Sequence, residues 1–133
     1  MATAYHDARS QLTAEQRTAA SQELSVGEAA TVHFQSTANQ ARFILARRRL
    51  NVAKTPDDVR SACAELERLL RTEMELARRL HALQTRDSRI GFEASNQYYY
   101  VPLDLAEKVI NCHDLLTRWL PAKRSHAATV QGL

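Results

Sequence analysis

Residues 55–84, TPDDVRSACAELERLLRTEMELARRLHALQ, decide the fold. Val59, Ala62, Cys63, Leu66, Leu69, Leu70, Leu76, Ala77, Leu80 and Leu83 recur every three or four positions and form one wide apolar stripe. That spacing belongs to a helix with one buried face. The opposite face carries Arg60, Glu67, Arg71, Glu75 and Arg78, with Glu67–Arg71 and Glu75–Arg79 at the supportive i,i+4 separation. The start is marked as clearly. Thr55 is suited to cap, Pro56 fits the first helical position, and Asp57 and Asp58 complement the positive helix end. A helix from Pro56 to about Gln84 follows.

Working outward, Leu105, Val109, Cys112, Leu116, Trp119 and Leu120 give a second amphipathic helix over 102–120, ending before Pro121. Residues 121–133 read as a flexible tail. Upstream, 3–24 reads as a helix with a thin apolar face, either continuous or broken near Thr13, where Thr13 to Gln16 offers a capping box. Ser25 is then expected to cap a helix over 26–50, with Glu28 in its first turn. That 26–50 helix is apolar or small nearly all round, along Val26–Ala30–His33, Val32–Phe43–Leu50 and Phe34–Ala38–Ala41–Leu45. Two readings fit. The helix is central, with His33, Asn39 and Gln40 hydrogen-bonded inside, or one side faces a partner domain or ligand. The expected architecture is all-α: an antiparallel three- or four-helix bundle in one domain, 1–120, with one long aromatic-rich loop at 85–101.

Composition supports this class. The chain has 133 residues, 44% hydrophobic and 6% aromatic, with Gly 3 and Pro 3. An all-β fold needs more turn residues than that. A net charge of +3 with ordinary apolar content argues against disorder. No apolar run approaches the ~20 residues needed to span a bilayer, and residues 1–24 lack the apolar stretch of a signal peptide. The expected location is therefore cytoplasmic if the chain is complete, and exported if it is part of a larger protein.

Few residues carry chemistry. Cys63 and Cys112 lie on apolar stripes and read as buried thiols. The five histidines show no HxxxH or HExxH spacing, so no metal and no cofactor are expected. Arg47, Arg48 and Arg49 complement a helix C-terminus. Residues 1–54 hold 7 basic and 4 acidic groups, too small an excess to indicate a nucleic-acid binder. Glu73 falls inside the apolar stripe, where a charge costs several kcal/mol unless paired. It is either held by a buried hydrogen bond or ion pair, for instance to His33, or is a carboxylate of raised pKa serving a site. Glu73 and His33 are thus the expected buried polar residues.

Residues 85–101, TRDSRIGFEASNQYYYV, break the surrounding pattern. Phe92, Tyr98, Tyr99 and Tyr100 are half of the chain's aromatics, and Gly91 permits a left-handed turn. About 17 residues is long for neighbouring helices, which usually need ~2–8. The segment is a crossover loop plugging one end of the helices, or a contact surface. In the second case Asp87, Arg89, Glu93 and Asn96 supply polar contacts and Tyr98, Tyr99 and Tyr100 supply stacking. Protein interfaces and carbohydrate sites both use such residues.

The stretch from Glu73 to Leu116, above all RDSRIGFEASNQYYYVPLDLAEKVINC (Arg86–Cys112), resembles the helical carboxy-terminal region of large bacterial proteins related to glycoside hydrolases. The likeness covers a third of the chain at most, and the family has His where this chain has Gln97. It implies a helical module that follows a barrel domain, with the 86–101 loop facing that domain or its sugar cleft. The leading expectation is a non-catalytic module of a carbohydrate-active protein, presenting this loop to a partner domain or a glycan. The alternative is a self-contained interaction protein pairing with a second copy or another chain. With no nucleophile–base pair, phosphate loop or metal spacing, the chain is not expected to be an enzyme on its own.

Overall fold

A computed structural model describes residues 12–93, 98–99 and 101–131. Helix α1 spans Ala14–Val52 and α2 spans Pro56–Arg86. A two-residue antiparallel ladder follows, β1 (Phe92–Glu93) with β2 (Tyr98–Tyr99), pairing Phe92 with Tyr99 and Glu93 with Tyr98. Helix α3 spans Pro102–Asp114, a π turn covers Leu115–Trp119, and α4 spans Leu120–Gln131. Apart from that ladder, the described residues are all-α.

The capping signals at Thr13 and Thr55 act as expected. Thr13 Oγ1 accepts from the Gln16 amide while Gln16 Oε1 accepts from the Thr13 amide, closing a reciprocal box at the start of α1. Thr55 Oγ1 accepts from the Asp58 amide, with Pro56 in the first turn of α2. Asp104 accepts from the Val101 amide at the start of α3.

Two helix boundaries differ from expectation. No break occurs at Ser25, and one 39-residue helix runs from Ala14 to Val52 through the expected junction, while residues 3–11 of the first anticipated helix lie outside the described residues. Ser25 does not cap; its hydroxyl donates to the Ser21 carbonyl, a bond available to serine inside a continuous helix. Nor does the fourth helix end before Pro121, so the tail expected from 121 is helical to Gln131. Proline lacks an amide hydrogen and crowds the preceding turn. The π turn sits just upstream, with the Leu120 amide donating to the Leu115 carbonyl, and this wider turn lets the helix pass the proline. Arg124 then pairs with Glu67 on α2 at 2.8 Å.

The core has two clusters. In one, Ala46 and Leu50 of α1 meet Val59, Ala62, Cys63, Leu66 and Leu69 of α2, joined by Leu120. In the other, Ala29 and Val32 meet Leu76, Ala77, Leu80 and Leu83, joined by Leu105. Late residues of α1 meet early residues of α2 and the reverse, so the two helices are antiparallel. By the same token α3 and α4 run antiparallel to α2. The central helix is therefore α2, not the 26–50 segment. Its twelve buried residues against six on α1 follow from a stripe wide enough to serve neighbours on two sides.

Candidate functional site

The most developed polar arrangement surrounds Glu73. Its carboxylate is buried in the groove between α1 and α3, over α2. Ser36 of α1 donates to Oε1, Lys108 of α3 pairs with the same oxygen at 2.7 Å, and Asn39 donates to Oε2 at 3.4 Å. Lys108 also donates to Ser36 Oγ at 3.0 Å, and Gln40 donates to that oxygen at 3.2 Å. The charge is thus paired and hydrogen-bonded, as a buried carboxylate must be. Beside it lies a cavity of about 290 Å³, walled largely by Phe43, Leu69, Leu70, Cys112 and Leu115.

His33 corrects the sequence expectation. It is exposed, on the side of α1 turned from the Ser36–Asn39 stripe, and stacks edge-on with Phe34. One position in a helix shifts a side chain by about 100°, enough to carry His33 off the buried stripe that Val32 occupies. Glu73 is instead held by Ser36, Asn39 and Lys108. Lys108 was legible in principle, as a lysine between Leu105 and Cys112 on an otherwise apolar stripe.

The cluster's chemistry is limited. Burial, then the negative charge of Glu73, pushes the Cys112 thiol above its ordinary range, which suppresses the nucleophilic thiolate. Cys63 and Cys112 are both free and buried. Among the described residues no group of three or more His, Cys, Asp or Glu side chains could hold a metal ion, and no helix is long and apolar enough to cross a membrane.

The 86–101 segment begins with a local clasp. Asp87 Oδ1 accepts from the amide of Arg89 at 3.1 Å and from its Nε at 2.8 Å, and Oδ2 accepts from Nη2 at 2.5 Å. This doubly bonded guanidinium, with the amide's help, holds the Asp87 carboxyl down at about 2. Gly91 follows with φ 93°, the left-handed conformation anticipated for it. Ile90 packs against the second core cluster. Glu93, Tyr98 and Tyr99 lie in the ladder, whereas Asn96 and Tyr100 fall outside the described residues.

A third feature is the outward side of α1. Phe34 is 73% exposed, Leu45 56% and Val52 72%. They share the side opposite the Val32–Asn39–Ala46 line that packs on α2. This is the Phe34–Ala38–Ala41–Leu45 stripe of the sequence, extended to Val52. Arg47, Arg48 and Arg49 are exposed at the same end. No protein-family model matches the chain, and no match was found among curated proteins or solved structures.

Proposed function

We propose that this chain is a non-catalytic helical interaction module, an antiparallel three-helix bundle whose working surface is the outward side of α1. The observation that carries the reading is the line of Phe34, Leu45 and Val52, large apolar side chains left in water along a helix whose other side is already packed. Scattered apolar residues need no explanation; an aligned set of them marks a contact surface. Replacing Phe34 and Leu45 by Asp tests this. The melting temperature should hold or rise while association with any partner is lost; a large fall in melting temperature would place these side chains inside the chain's own core.

The resemblance of Arg86–Cys112 to helical regions of glycoside-hydrolase-related proteins supports a narrower reading of the same module. In it the protein is carbohydrate-active as a whole, and the 86–101 segment faces a partner domain or a glycan. The Asp87–Arg89 clasp and the Gly91 turn favour a built presentation of that segment. Alanine at Tyr98, Tyr99 and Tyr100 in turn should weaken binding to that domain or glycan. Unaltered binding in all three variants removes this reading and leaves the α1 surface untouched.

A further inference from the structure

Resting on that reading of α1, we infer that the occupant of its outward side is a second copy of this chain, with the two α1 helices paired antiparallel across a two-fold axis between Gln35 and Thr37. Steps of four and three residues run from Ala20 to Val52 along the outward side of α1, apolar or small at every step but Arg48. This is the 3.5-residue period that sets two helices into a shared left-handed supercoil. The core-facing stripe lies on the other side, so α2 and α3 do not obstruct the approach.

The register is specified by size. With the axis at residue 36, Phe34 faces the partner's Ala38, Leu45 faces the partner's Gly27, and Val52 faces the partner's Ala20. Phe34, Leu45 and Val52 each meet a small residue, Thr31 meets the partner's Ala41, and Leu24 lies along the aliphatic stem of the partner's Arg48. Nothing lies within 4 Å of a side chain added at Gly27, so there is open space above it for the partner's Leu45. Interdigitation of large and small residues is what close-packed helix pairs need.

Charge selects the same direction. Between Glu28 and the end of α1 there is no carboxylate, while Arg42, Arg47, Arg48 and Arg49 all lie there; Glu15, Glu23 and Glu28 lie in the first half. A parallel pair would set the arginines of both copies side by side. In the antiparallel register the flanking positions bring Glu28 beside the partner's Arg42, twice by symmetry, and Gln35 beside the partner's Gln35. Glu28 is 47% exposed while paired with Arg79, which leaves its carboxylate open to a second cation. The helix dipoles also oppose one another in this direction.

The experiment uses the whole chain, with single spin labels on cysteines introduced at Gln35 or at Arg49 and sedimentation velocity on the same samples. A dimer is expected, with a label separation below about 20 Å at Gln35 and about 40 Å at Arg49, from the 1.5 Å rise per residue. Short separations at both positions mean a parallel pair and overturn the inference. So does a monomer. A monomer in which Phe34→Asp leaves the melting temperature unchanged overturns the self-pairing but keeps α1 as a surface for another partner. One in which Phe34→Asp destabilises the fold overturns both. As a second arm, Arg42→Glu should weaken dimerisation about tenfold, and adding Glu28→Arg should restore most of the loss. Failure of that rescue in a dimer contradicts the register.

Discussion

Lys108 of α3 lies 2.7 Å from the Glu73 carboxylate of α2 and donates, at 3.0 Å, to the Ser36 hydroxyl of α1. One ammonium and one carboxylate thereby tie three helices together at mid-length. Glu28–Arg79 and Glu67–Arg124 also link helices, but both pairs sit at the exposed margins.

Removing one partner of this bond is expected to cost more than removing both. Lys108→Met leaves the Glu73 charge buried without its cation and should destabilise by about 2–4 kcal/mol, somewhat under the cost for a fully enclosed pair because a fifth of the lysine side chain remains exposed. The double variant Glu73→Leu, Lys108→Met should be more stable than Lys108→Met alone. Urea unfolding of the four proteins measures this, and additive losses would contradict it.

The Asp87–Arg89 clasp should survive acid that dissolves ordinary carboxylate contacts. The Asp87 carboxyl is held at about 2, below the ~3.9 of a free aspartate. Its contribution is therefore present above pH ~4 and lost only as pH falls through about 2. The Arg89 amide, bonded to Asp87 Oδ1, reports it. Its hydrogen-exchange protection should persist at pH 3 and vanish in Asp87→Ala.

Cys112 is expected to resist alkylation at pH 8. Burial and the Glu73 charge both raise its pKa, whereas Lys108 lowers it. Glu73→Gln should therefore speed modification by a thiol reagent, and Lys108→Met should slow it, provided both variants remain folded. Rates in the reverse order would show that access rather than charge controls the thiol.

Leu66 is fully buried at the meeting of α1, α2 and α4. Leu66→Ala should cost about 2–5 kcal/mol. Ile110→Ala, at a position 67% exposed on α3, should change stability by less than about 0.5 kcal/mol. Chemical denaturation of both variants compares them.

The parts of the fold legible in the sequence are those where local chemistry and tertiary packing agree. The Thr55 cap, the wide stripe of α2 and the placement of Glu73 within it could all be read from spacing. What misled was punctuation. Ser25 has the right chemistry for a cap but equally serves inside a helix by bonding to Ser21, and Pro121 is absorbed by a π turn that leaves no signature in hydrophobic spacing. The rank of the helices was hidden for a different reason. Residues 26–50 are apolar nearly all round, which fits a central helix as well as one with an uncovered outer side. The exposure of Phe34 and Val52 decides for the second. Of the site residues, Glu73 was legible directly; Lys108 left a weaker signal, a lysine between Leu105 and Cys112 on an apolar stripe, which reads equally as a side chain reaching for water. Of the expected Glu67–Arg71 and Glu75–Arg79 pairs, only the first forms among the described residues; Arg79 reaches Glu28 on α1 instead.

The pairing proposed for α1 leaves its outward apolar side to a second copy of the chain. Sedimentation velocity of the wild-type chain beside the Phe34→Asp, Leu45→Asp variant, over a range of concentrations, tests it most directly. The expected result is a concentration-dependent dimer for the wild type and a folded monomer for the variant, with unchanged melting behaviour. A wild-type chain that stays monomeric, indistinguishable from the variant, would contradict it.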